Sequence, residues 1–239
     1  MTINFHFTPI LMAHGLNRLD HVPKNSLHFS CNIPIGMLLL LHNHKKMDTR
    51  QLIMQKNFEA IHKHGFQGVR ADKVVAELGI TKGALYHYFP NKMELGYAII
   101  DEILAPIYLS LWKKFELAEE NHFEIMVEII QSYAYFADDD SIKLGCTLNN
   151  LVQEMSPLDD TFQKKLQAIV KGIHFSIETG LRNGQLAGVF KPNFNPTLTA
   201  QFIHAGINGG WSLGKSQQNK VIFEMILSQL IEFVTTLKK

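Results

Sequence analysis

The stretch Arg70-Ala-Asp-Lys-Val-Val-Ala-Glu-Leu-Gly79-Ile-Thr81-Lys-Gly-Ala-Leu-Tyr-His-Tyr-Phe89 decides how this chain folds. It holds two short helical patterns on either side of Gly79-Ile80-Thr81. Gly79 suits the left-handed conformation that ends a helix. Ile80 can plug the angle between the two helices, and Thr81 is a preferred N-cap for the second. Val74, Leu78, Leu85 and Phe89 supply apolar faces that hold the pair against a preceding helix. The layout is that of a helix-turn-helix, which offers the N-terminal end of its second helix to a DNA major groove.

The side chains on that second helix suit the task. Thr81 and Lys82 stand where free backbone N–H groups and a cation meet phosphates. Gly83 and Ala84 are small enough to let the backbone approach base edges, and Ala84 can touch a thymine methyl. Tyr86 and His87 carry donors for phosphates or bases. Leu85, Tyr88 and Phe89 read as core.

Thr49-Arg50, Ile53, Gly65-Phe66 and above all the run from Ile80 through Tyr88-Phe89-Pro90-Asn91-Lys92 resemble the DNA-binding domain of the TetR family, ungapped over residues 48–95. The resemblance implies three helices that bind DNA and about six more that form a ligand-binding and dimerising body. It also implies backbone or base contacts for Lys82, Tyr86 and His87, and a phosphate contact for Lys92 at the start of the fourth helix. There are departures. Val69-Arg70 stands where the family commonly caps the next helix with Thr or Ser, Val75 replaces a small alanine, and Lys56-Asn57 replaces an Ala pair. Arg70 is thereby a candidate DNA contact particular to this chain.

Outward from this motif nearly everything reads as helix, so the fold class is all-α. Asp48-Thr-Arg-Gln51 is a capping box opening a helix that ends at Gly65. Asn91-Lys-Met-Glu94 opens a long helix toward Ala118 with a bend expected at Pro106. Asn121-His-Phe-Glu124 starts the next, to about Ala137, and Asp138-Asp-Asp140 interrupts the periodicity. A short helix over 146–155 follows. Ser156-Pro157 reads as cap and first residue of one running to about Asn183, Asn195-Pro196 opens another, and the last covers 219–237. Nine or so helices result, and no alternating strand pattern appears. The expected division is residues 47–95 for DNA and 96–239 for ligand and dimer.

Residues 1–46 look different. They hold six of the twelve histidines, including His42 and His44, and no sustained helical period. They read as a disordered extension, with Met47 as the expected functional start, and neither a signal peptide nor a metal site is indicated. The apolar run over 33–41 is far short of the roughly 20 residues of a membrane span. Two cysteines, Cys31 and Cys146, make no disulfide framework and fit a reducing cytoplasm. Net charge is +1 overall, but residues 47–95 carry seven Lys/Arg against five Asp/Glu, whereas 96–239 carry twelve against sixteen. A basic head on an acidic body suits a protein that presents one end to phosphates.

The body is less explicit. Tyr108, Trp112, Tyr133, Phe136, Cys146, Asn149, His174, Phe175, Glu178 and Trp211 are candidate lining for a small, largely hydrophobic or aromatic ligand, although aromatics at helical spacing are also ordinary core. The segment Gly145-Cys146-Thr-Leu-Asn149-Asn150-Leu-Val-Gln-Glu154-Met resembles one branch of the same family, in some members of which a cysteine here responds to electrophiles or oxidants. A helix N-terminus lowers a thiol pKa, so Cys146 is either a sensor or, the commoner role, a small residue packing a helix start. The last two helices are the expected homodimer interface. Gly206, Gly209 and Gly210 permit close approach, and Val221, Met225, Ile226, Leu230 and Phe233 form an apolar stripe.

No Ser-His-Asp order, phosphate loop, HExxH or CxxC is present, so neither an enzyme nor a cofactor is expected. The resulting expectation is a cytoplasmic repressor that grips a palindromic operator as a dimer and lets go when a small molecule enters its body.

Overall fold

The computed structural model describes residues 47–239; the expectations for residues 1–46, including Cys31, His42 and His44, fall outside them. Ten helices follow in order among the described residues. They are α1 (Thr49–Gly68), α2 (Ala71–Ala76), α3 (Lys82–Tyr88), α4 (Lys92–Glu116), α5 (His122–Phe136), α6 (Asp139–Leu144), α7 (Thr147–Met155), α8 (Asp160–Leu186), α9 (Pro196–Gln217) and α10 (Lys220–Leu237). No strand occurs among the described residues; one isolated bridge pairs Phe190 with Lys238 near the C-terminus.

Most helix starts obey the local rules read from the chain. Asp48 and Gln51 close a reciprocal capping box. Asn91, Asn195 and Asn219 each accept a hydrogen bond from a first-turn N–H. Three starts differ from expectation. Asn121 adopts φ 54° and makes no side-chain cap, so α5 begins without the anticipated box. Asp138 does not merely interrupt the pattern: its carboxylate accepts from Ser141 N at 2.8 Å and founds the unanticipated α6. The cap of α8 is Asp159, not Ser156, which closes α7; Asp159 accepts from Phe162 N at 2.7 Å and from the Tyr97 hydroxyl at 3.0 Å.

The long helix α4 passes through a π-helical turn at Ile100–Leu104, where Ala105 N–H donates to Ile100 O. Pro106, which has no N–H to give to the carbonyl four residues back, stands just past this turn and accounts for the widening there. Although α4 is long and apolar enough to cross a membrane by length and composition, Ile99, Leu104, Ile107, Trp112 and Phe115 along it are buried in the protein. Asp101 and Glu102 stand at its middle.

In the head, Ile53, Phe58, Ile61, Phe66, Val75, Leu85 and Phe89 are buried together. Within the second helix Val75 is fully covered and Val74 only partly, so the branched residue that departs from the family's alanine is the core position. Tyr88 is a correction: it is 39% exposed, because Leu85 and Phe89, four apart, occupy the inward stripe. Phe66 joins head to body, its ring 4.6 Å edge-to-face from Phe162 and pressed on Gly96.

In the body α8 lies against α4 so closely that a Cβ at Gly180 would come within 2.4 Å of the Phe115 ring. Trp211 stacks 4.3 Å from Phe223 and seals α9 to α10.

Candidate nucleic-acid interface

The turn between α2 and α3 is built as its residues dictate. Gly79 takes φ 70° and Thr81 Oγ accepts from Ala84 N at 3.1 Å. With the first turn of α3 tied back in this way, Thr81, Lys82, Gly83, Tyr86 and His87 stand exposed along one side and Ala84 is partly covered. The Lys82 ammonium lies 5.7 Å over the Tyr86 ring, and His87 packs edge-to-face on Tyr88. The geometry leaves a cation, a hydroxyl and an imidazole outside a backbone approachable at Gly83.

Arg70 makes no cap for α2. Its side chain is 70% exposed and pairs with Asp72 at 3.1 Å, which holds the Asp72 carboxyl below its ordinary range. Lys92, expected to meet a phosphate, stands at the start of α4. It donates to Gln67 O at 3.1 Å, lies 4.8 Å over the Phe66 ring, and burial lowers its pKa. Its partly covered ammonium thus has one partner in the head, while Lys82 is the cation of the exposed row.

The candidate ligand residues do not form one site. Four gather between α4, α5 and the start of α7. Tyr108 Oη lies 3.3 Å from Cys146 Sγ and also accepts from Leu148 N. Tyr133 is the third member; burial raises its pKa, and the Trp112 indole N–H beside it opposes part of that shift. Burial raises the Cys146 thiol above its ordinary value, which the Tyr108 hydroxyl only partly counters. The expected lowering at a helix N-terminus is therefore overridden by desolvation, and the thiol is held protonated.

The other six lie elsewhere. Phe136 is 37% and Phe175 62% exposed, so neither lines an interior cavity. Glu178 pairs with Arg182 on the surface of α8. Asn149 donates to Ser212 on α9, Trp211 packs on Phe223, and His174 meets His204 Nδ1 at 2.9 Å, with Asn208 on the far side of that imidazole.

The glycines expected at a dimer face divide as well. Gly206 and Gly210 receive Leu230 and Phe223 of the same chain, while nothing approaches Gly209. Val221 and Met225 are exposed but Leu230 is buried.

Two residues matter here that sequence reasoning did not single out. Glu154, at the end of α7, accepts from the backbone N–H groups of Phe66 and Gln67 at 2.8 Å each. His62 bonds Gly145 O at 2.9 Å, and burial lowers its pKa. Gly65-Phe66 and Glu154 both fell within stretches that resemble the family, which was the available signal.

A head of three helices with an exposed capped helix, on an all-helical body, defines a helix-turn-helix DNA-binding protein. Residues 50–99 match the family described as "Bacterial regulatory proteins, tetR family", and residues 126–228 match "Tetracyclin repressor-like, C-terminal domain". The chain belongs to the TetR family of transcriptional regulators, which are not enzymes. It is 27% identical over 182 residues to an HTH-type transcriptional regulator in the lacX 3' region of Lactococcus lactis, covering 74% of this chain and 88% of that one. It is 22% identical over 190 residues to the HTH-type transcriptional repressor DhaR of Mycobacterium sp. strain GP1, covering 77% and 90%. A TetR-family regulator from Cytophaga hutchinsonii superposes with a TM-score of 0.70 at 21% identity, over 81% of this chain and 98% of that one.

Proposed function

We propose that this protein is a cytoplasmic repressor whose residues 47–95 bind a palindromic operator and whose residues 96–239 dimerise and take up a small-molecule inducer. The observation that carries the reading is the exposed row Thr81, Lys82, Gly83, Tyr86 and His87 on a helix whose first turn is already capped. Lys82 and the α3 N-terminus meet phosphates, Gly83 and Ala84 approach bases, and Tyr86, His87 and Arg70 complete the contacts. Repression is supported by the similarity to DhaR, a transcriptional repressor that aligns with most of this chain.

The dimer face in this reading is the outer side of α9 and α10. Leu198, Phe202 and Leu213 on α9 and Val221 and Met225 on α10 are exposed apolar side chains, with the open Gly209 among them. A second copy would complete a four-helix packing there. The inducer site centres on Tyr108, Trp112, Tyr133 and Cys146, whose apolar walls and few hydroxyls suit a small aromatic or apolar ligand. Ligand entry would favour a dimer whose recognition helices no longer sit about one DNA turn apart.

A gel-shift with the DNA upstream of the protein's own gene tests the reading. Retardation at ~50 mM salt, weakening steeply as salt rises, is expected; no binding at that salt would sink it.

A further inference from the structure

We propose that Glu154 is the positioning residue through which the body grips the helix-turn-helix head, and that this grip sets the spacing at which a dimer's two heads meet DNA. The inference rests on the dimer-on-palindrome reading above.

The grip begins with a break in α1. Gly65 takes φ 73° and ψ 163°, which interrupts the helix one turn before its end. The next two N–H groups, those of Phe66 and Gln67, are thereby released from the helical ladder. Both donate to a single carboxylate from the body, one to each oxygen of Glu154, at 2.8 Å. Charge-assisted bonds to paired backbone donors are directional and stronger than neutral ones. They define an orientation as well as a contact.

Three neighbouring features close the same turn. A Cβ at residue 65 would lie 3.0 and 3.1 Å from the two Glu154 oxygens, so glycine is required both by its backbone angle and by the approach of the carboxylate. Lys92, the first residue of α4, donates to Gln67 O. The Phe66 ring is wedged against Gly96 and Phe162. One turn of the head is thus held by donor, acceptor and ring at once.

The helix that supplies Glu154 is tied to α1 at its other end too, where His62 bonds Gly145 O at 2.9 Å. Cys146, the next residue, contacts Tyr108 in the proposed inducer cluster. Helix α7 is therefore a nine-residue strut with one end in that cluster and the other on the head. Glu154 lies on none of the exposed DNA-facing positions. Its removal would leave the recognition surface intact and free the angle of the head.

The test uses full-length dimeric protein. Wild-type protein first selects its operator from random duplex DNA. Affinity is then measured for versions of that operator whose half-sites are moved apart or together by one or two base pairs. Wild type is expected to lose about tenfold or more at each altered spacing. Glu154→Ala should lose less than about threefold across the series while keeping its base preferences within each half-site. Glu154→Gln, which retains one good acceptor and the shape of the side chain, should fall between. If Glu154→Ala is too unstable to bind, Glu154→Gln decides by the same criterion. Spacing discrimination at the wild-type level in the variants overturns the proposal, as does a uniform loss at every spacing, the signature of a merely structural residue. Failure of wild-type protein to select any DNA would instead overturn the repressor reading on which it stands.

Discussion

The Arg50 guanidinium lies in the fork of the Glu102 carboxylate, with both N–O separations at 2.6 Å. The pair joins α1 of the head to the π turn of α4, and Arg50 also covers the Phe89 ring at 5.1 Å. It holds Arg50 above and Glu102 below their ordinary pKa values, each through the other's hydrogen bond. Both side chains are more than a third exposed, so solvent screening limits the gain. Glu102→Gln should lower unfolding free energy by about 0.2–1 kcal/mol, and by less in 1 M salt. Urea denaturation at two salt concentrations checks this; a loss of several kcal/mol would contradict it.

Lys82 and Arg70 should separate affinity from preference. Lys82→Ala is expected to weaken binding of all sequences alike and to reduce the slope of log affinity against log salt by about 1. Arg70, whose side chain reaches outward beside Asp72, should change which operator is preferred when replaced by alanine. Selection from random DNA with each variant checks both, and an unchanged operator for Arg70→Ala would remove that residue from recognition.

Acid should destabilise the fold through its desolvated histidines. Desolvation first, and His174 beside it second, push His204 down to about 4. Desolvation lowers His62 and His174 as well. Because the unfolded chain binds a proton at His204 near pH 6.5 and the folded chain does not, stability is complete above 6.5 and falls as pH drops toward 4. The loss from His204 alone is on the order of 3 kcal/mol. Thermal melting from pH 7.5 to 4 should show it, and His204→Gln should flatten the profile over the same window.

Gly180→Ala should destabilise by about 1–3 kcal/mol, because the new methyl would meet Phe115 and force α4 and α8 apart. Pairing it with Phe115→Leu should recover part of the loss. Simple addition of the two effects, measured by denaturation, would argue against direct contact.

Cys146, partly buried at the start of α7, should behave as an ordinary packing thiol. In a Cys31→Ser background, alkylation by iodoacetamide at pH 7 is expected to be slower than that of free cysteine, since burial holds the thiol protonated. A rate above that of free cysteine would revive a sensing role.

The head was largely legible because it follows local rules. A glycine that must turn left-handed at 79 and a threonine that must cap at 81 behave the same in any surroundings. Tyr88 was misjudged because its fate depends on which neighbour arrives: Phe89 fills the inward position. In the body, periodicity marks apolar faces but not their partners. Trp112 and Tyr133 therefore could not be told from Phe136 and Phe175, which lie on the surface. Gly206, Gly209 and Gly210 likewise read as one feature, yet two of them serve packing within the chain. Glu154 was invisible as an isolated acid, since its donors lie 87 and 88 residues away.

The π turn at Ile100–Leu104 also has a bearing on how such a protein changes over generations. One row of buried positions along α4 runs Leu95, Ile99, Leu104, Tyr108 and Trp112, with a step of five across that turn and of four elsewhere, beside other buried positions at Ile100, Ile107 and Phe115. One surplus residue there swings everything downstream by about 100° relative to what precedes it. Loss of a single codon in this segment would straighten the helix and rotate the DNA-binding end against its body, so that the contacts of Phe66 with Phe162 and of Arg50 with Glu102 would have to be remade. Insertions and deletions at this point are thus a route by which one ancestral body could acquire heads facing differently spaced operators, with no change to any residue that touches a base.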